Sequence, residues 1–183
     1  MKLTALFLAT TLSLAFHVNA QNIPAPEFKN KVMYVNNGTL AELEKTDMAT
    51  SLKTGMTGHS EVNLVADGPK ASISHSGGST DQYVVKIEPG IDPSTVVELF
   101  RLEASKKKRK VLVAEMSMGK DKSVKLDKVQ LNFTKVSDGV YAMTTSQLES
   151  GEYAFMVNRP NISILGAANS QTIIGYCFSV PEK

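Results

Sequence analysis

VVELFRLEASKKKRKVLVAEMSM, residues 96–118, is the stretch whose reading decides the fold: two arms rich in Val, Leu and Phe flank a block of cations. Such side chains suit a pleated, half-buried surface, so the stretch predicts a long β-hairpin with its charges at the tip. In the first arm Phe100, Leu102 and Ala104 share a face, and in the second Leu112, Ala114, Met116 and Met118 share one. A helical alternative begins at Asp92-Pro93, an N-cap followed by a proline at the first helical position, with Val96, Leu99, Phe100 and Glu103 near a 3.6-residue period. The hairpin is the preferred reading.

Outward from that hairpin the chain shows strands at hairpin spacing rather than alternating strands and helices. Lys31 to Val35 and Thr39 to Lys45 flank Asn36-Asn37-Gly38, a tight-turn signal. Thr46 to His59 is polar and reads as a loop with a short strand near Thr50 to Thr54. Glu61 to Ala66 and Lys70 to His75 flank Asp67-Gly68-Pro69 and predict a second hairpin, followed by the Ser76 to Ser79 tip. Gln82 to Glu88 alternates, with Tyr83, Val85 and Ile87 on one face. Val129 to Phe133 alternates likewise, and Asp138-Gly139 turns the chain into Val140 to Thr145. Asn158 to Thr172 reads as a loop, and Ile173 to Val180 closes the domain with Ile174, Tyr176, Phe178 and Val180 on one face.

At the N-terminus, Lys2, the apolar run Leu3 to Phe16 and the small residue Ala20 predict a secretory signal peptide over 1–20, cleaved after Ala20. The run is too short to span a bilayer, and no transmembrane segment is expected. An extended leader over 21–30, with Pro24 and Pro26, then leads into one β-sandwich domain over 31–183. Cys177 is the only cysteine, so no internal disulfide can form and the fold rests on packing. Of 20 basic residues 19 remain without Lys2, against 18 acidic ones, and this near-neutral balance gives no global field for nucleic acid or anionic lipid.

Leu148-Glu149-Ser150-Gly151-Glu152-Tyr153 resembles the tyrosine corner of Greek-key sandwiches such as immunoglobulin-like and fibronectin type III domains. The resemblance implies structural roles for Leu148, Gly151 and Tyr153, with the Tyr153 hydroxyl bonding backbone a few residues upstream. The signal peptide, the lead from Gly90 to Leu102, and Gly151 to Phe155 together resemble a group of uncharacterised exported bacterial β-sandwich proteins. That resemblance implies an all-β, Greek-key-like, immunoglobulin-like sandwich and brings no reaction with it. A nucleophile elbow, a phosphate-binding glycine loop and HExxH are all missing from the sequence.

Lys106, Lys107, Lys108, Arg109 and Lys110 form the densest charge block, a candidate polyanion contact. A solvated tip that opposes edge-to-edge pairing explains the same residues, and no interleaved aromatic offers base stacking, so nucleic acid is not an expected partner. His59, Glu61 and His75 could hold a metal if Glu61 paired with His75 in the second hairpin. Sliding by one residue pairs Val62 with Ile73 and Leu64 with Ala71 and separates the histidines, and this apolar match is preferred. A Ser-His-Asp triad built from His75, Asp81 and a serine has no support in spacing. Cys177, between Tyr176 and Phe178, is expected as a packed free thiol. Sequons occur at Asn37, Asn132 and Asn161, about as many as chance gives.

The sequence therefore predicts an exported, periplasmic or secreted, non-catalytic binding or structural module without cofactor, whose partner is a protein or glycan of the envelope. The rival expectation is a small metal-dependent hydrolase using the His59 and His75 region.

Overall fold

The computed structural model describes residues 23–56, 58–117, 120–122, 126–160 and 173–182. The predicted signal peptide with Ala20, residues 118 and 119, and most of the Asn158 to Thr172 loop, including Asn161, lie outside them. In chain order the strands are β1 (Val32–Asn36), β2 (Thr39–Glu42), β3 (Glu44–Thr54), β4 (His59–Asp67), β5 (Gln82–Lys86), β6 (Val97–Ala104), β7 (Lys108–Ser117), β8 (Lys120–Lys122), β9 (Lys128–Val129), β10 (Asn132–Ser137), β11 (Val140–Thr144), β12 (Gly151–Val157) and β13 (Ile173–Val180). One helical turn, α1 (Pro93–Val96), precedes β6. Among the described residues no helix is long and apolar enough to cross a membrane.

The protein is all-β with two sheets, as the hairpin spacing predicts. The smaller sheet has the order β10-β11-β5-β1-β2, and the larger β8-β7-β4-β3-β13-β12-β6-β9. A further pairing of β6 with β7 closes six strands of the larger sheet into a barrel, a difference from the two open layers of a sandwich. The physical reason lies in the organising hairpin. Its tip pairs through Glu103 with Lys110 and Ala104 with Arg109, and its arms then part, β6 pairing with β12 and β7 with β4. The parting arms open a ring that the other strands fill.

Two cores result. Met48, Leu64, Phe100, Leu102, Met156 and Cys177 pack inside the barrel. Tyr83, Val85, Ile87, Leu99, Phe155 and Phe178 pack between the small sheet and one wall of the barrel. Strands β6, β12 and β13 serve both cores; β12 and β13 are nearly continuous apolar runs, while β6 sends Val97 and Leu99 to one core and Phe100 and Leu102 to the other between charged residues. Each fully buried side chain of this kind contributes roughly 1.5–3 kcal/mol. The chain passes between sheets at Leu43 and Leu131, each buried in the interlayer core. Val129 to Phe133, expected as one strand, is thereby split into β9 on the barrel and β10 on the small sheet.

Other expectations hold or fail for local reasons. Asn37 and Gly38, with φ of 49° and 79°, make the tight turn between β1 and β2. The Asp92 N-cap also forms, its side chain accepting from the Ser94 N–H, but the helix ends after one turn. Thr46 to His59 contains most of an 11-residue strand, β3, whose polar residues face out while Met48 is buried. In β7 a bulge opposite Val62 and Asn63 shifts the register, so Val111 and Val113 are buried and Leu112 drops out of line with Ala114 and Met116. Ile174 is 40% exposed, although Tyr176, Phe178 and Val180 on its expected face are buried.

The second predicted hairpin does not form. Both edges of β4 are taken, by β3 and β7, and residues 70–75 run instead as a strap beside the end of β13. The strap is held by a parallel bridge from Ser74 to Ser179, with Ser179 N–H donating to the Ile73 carbonyl at 2.9 Å and His75 N–H to the Ser179 carbonyl at 3.1 Å. Gly77 continues it with φ of 64°, where a Cβ would lie 2.7 Å from the Val180 side chain, so only glycine allows this approach.

Candidate functional site

The strap carries two buried polar clusters, one at each end. At its start Arg109, 2% exposed, reaches over the barrel end. Its Nη2 donates to Glu44 Oε1 at 2.6 Å and to the Asp67 carbonyl at 2.9 Å, and its Nε donates to the Gly68 carbonyl at 3.3 Å. Glu152 lies 3.8 Å from Arg109 Nη1 and accepts from Ala71 N–H at 2.7 Å and from the Ser179 hydroxyl at 2.6 Å. Glu44 also accepts from the Ser72 N–H. Burial raises the Glu44 pKa, but the bonds from Ser72, Arg109 and Thr46 outweigh it and hold the carboxyl at about 2. Arg109 thus leaves the predicted basic tip. Lys106, Lys107 and Lys108 remain exposed, and Lys110 pairs with Glu103 at 3.1 Å.

At the far end of the strap, Asp81 is 9% exposed and collects the polar groups around it. Its Oδ1 accepts from the Tyr34 hydroxyl at 3.2 Å, and its Oδ2 from Ser76 Oγ and Gly78 N–H, each at 3.0 Å. His75 Nδ1 lies 3.5 Å from Asp81 Oδ2, and among the described residues neither ring nitrogen has a hydrogen-bond partner. The imidazole is stacked between Tyr34 and Phe178, both centroids at 4.4 Å, with Tyr83 tilted beside it at 5.5 Å. Burial lowers the His75 pKa below its ordinary value, more than Asp81 raises it. The Tyr83 hydroxyl, buried without a partner, is pushed up by burial and by Asp81.

Beside this cluster a cavity of about 630 Å³ opens between the β1–β2 turn and the start of β5. Tyr34 and Asp81 line it together with Asn36, Asn37, Thr80 and Gln82, and Ile23 and Val35 add an apolar edge. Its size suits one small ligand.

The structure brings His75, Asp81 and a serine together, but in an order unlike a triad. Ser76 Oγ donates to the carboxylate, and the imidazole has no hydroxyl to deprotonate. His59 belongs elsewhere, in β4, with Nε2 3.2 Å from Glu61 and Nδ1 3.6 Å from Glu115. Since residues 70–75 do not pair with β4, both registers weighed for a His59, Glu61 and His75 metal site are overturned. Among the described residues no group of three or more His, Cys, Asp or Glu could hold a metal ion. Cys177 is fully buried in the barrel core, and burial pushes its thiol up to about 11.

Sequence reasoning missed Tyr34 and the cavity. One signal was present: Asp81 closes a Ser-Gly-Gly-Ser turn immediately before a strand with Tyr83 on its core face. Comparison with protein families, curated proteins and solved structures finds no match to this chain.

Proposed function

We propose that the protein is an exported, non-catalytic binding module that holds a partner of the cell envelope or extracellular space at the Asp81 cavity. The carrying observation is the direction of the Ser76 hydrogen bond, which fixes the Asp81 carboxylate at the cavity wall instead of preparing a nucleophile. The buried, protonated Cys177 thiol supports the same reading. The predicted signal peptide supports export to a periplasm or beyond it, with a mature chain starting at Gln21. The two packed layers, and the Tyr153 hydroxyl donating to the Glu149 carbonyl at 2.9 Å, support kinship with Greek-key, immunoglobulin-like sandwiches, one layer here being closed into a barrel.

The test is affinity capture from the native envelope with the immobilised mature protein, beside a Thr80→Trp variant. Thr80 is an exposed turn residue lining the cavity, so the indole obstructs it without entering the core. A partner retained by the native protein and lost with Thr80→Trp is the expected result. Equal capture by both proteins moves the binding site elsewhere, and turnover of a substrate that His75→Ala abolishes contradicts the non-catalytic reading. Mass spectrometry of exported material checks for a chain beginning at Gln21.

A further inference from the structure

Among the described residues Asp81 has hydrogen bonds but no Lys or Arg partner. Among the described residues its sole ion-pair neighbour is His75, which burial keeps neutral near pH 7, and no Lys or Arg lies within ion-pairing distance. A carboxylate nine-tenths withdrawn from water without a fixed positive charge is costly unless something compensates it. The other buried carboxylate of the strap region, Glu152, has the Arg109 guanidinium beside it. Asp81 has in that place an open cavity.

The remaining polar lining of the cavity is neutral. Asn36, Asn37, Thr80 and Gln82 carry amides and a hydroxyl, which both donate and accept and therefore match hydroxyl groups. Tyr34, whose hydroxyl donates to Asp81, has oxygen lone pairs free to accept from a cationic N–H. From these observations we infer that the cavity takes a small hydroxylated compound bearing a protonated amine, with the ammonium paired to Asp81 and its hydroxyls meeting the neutral lining. This inference rests on the reading of the cavity as a binding site and names its ligand class.

The experiment titrates the full mature protein with D-glucosamine and, separately, with D-glucose, following protein amide signals by NMR at neutral pH. The two probes differ only in replacing a hydroxyl by an ammonium. Glucosamine is expected to bind about tenfold or more tightly than glucose, as a charge-assisted bond replaces a neutral one, with the largest shifts at Asn36, Asn37 and Gln82. Asp81→Asn should remove that preference, while Lys106→Ser, at the remote tip, should leave it intact. Equal binding of the two sugars overturns the ammonium inference and leaves the cavity as a binding site. An undiminished preference in Asp81→Asn, or no binding of glucosamine, also overturns it, and envelope capture sensitive to Thr80→Trp then still stands. A native-like amide spectrum of Asp81→Asn excludes misfolding as the cause of its loss.

Discussion

The two ends of the strap hold polar clusters of opposite construction. At the Arg109 end two glutamates share a guanidinium that also ties down the Asp67 and Gly68 carbonyls, with Arg109 and Glu152 buried and Glu44 at the edge of the group. At the Asp81 end the carboxylate faces a neutral imidazole and an open cavity. The difference separates a cluster that completes the fold from one whose charge, with the ligand proposed above, is completed from outside. Of the protein's most conspicuous basic run only Arg109 belongs to the buried cluster, and Lys106, Lys107 and Lys108 stay exposed.

Breaking the first cluster should have the largest effect. Arg109→Met leaves Glu44 and Glu152 without their cation and frees the start of the strap, so stability should fall by about 3–5 kcal/mol in urea denaturation. Adding Glu152→Gln to that variant should recover part of the loss, because one uncompensated charge is removed. A loss below about 1 kcal/mol in the single variant would place the cluster among weak surface pairs.

Acid should act on both ends in sequence. His75 has its folded pKa lowered by burial, so the unfolded chain takes up its proton first. Stability is complete above the ordinary imidazole value of 6.5 and declines as pH falls below it. Glu44 is lowered from 4.5 to about 2, so its contribution is present above 4.5 and is lost as pH falls through about 2. Denaturation midpoints measured from pH 8 to pH 3 should show two declines, and His75→Gln should flatten the upper one alone.

Tyr153→Phe is a smaller change. The hydroxyl is lost from a bond to the carbonyl of exposed Glu149, which water can then serve, so the expected cost is about 1 kcal/mol. An unchanged midpoint would reduce Tyr153 to a packing residue. Replacing Lys106, Lys107 and Lys108 by Ser should matter least, within about 0.5 kcal/mol, with equal weak retention of both proteins on heparin. Salt-sensitive retention lost in the variant would instead make the tip a polyanion site.

Much of this architecture was legible from residue pattern, because turns are written locally. Asn37, Gly38 and Gly139 supply positive φ where the chain reverses, and Tyr83, Val85 and Ile87 alternate toward one core. What pattern could not give is which strand edges meet. The apolar match of Val62 with Ile73 looked like a hairpin, yet Glu44 and Glu152 capture the backbone N–H groups of Ser72 and Ala71 from distant strands, and β4 pairs with β3 and β7 instead. Barrel closure is hidden likewise, because it needs the arms of one hairpin to separate after two pairs. The cavity was illegible for the same reason, its walls being 40 to 50 residues apart in the chain, as Tyr34 and Asp81 are.

The most direct test of the contrast is a denaturation of Asp81→Asn beside Arg109→Met under identical conditions at pH 7. If the Asp81 charge serves a ligand, its removal should cost less than about 1 kcal/mol, since the new amide can keep its oxygen toward Ser76 and the Gly78 N–H and turn its NH2 toward the Tyr34 hydroxyl, which can accept. Arg109→Met should cost several times more. A loss for Asp81→Asn equal to that for Arg109→Met would contradict the account, because both clusters would then belong to the fold.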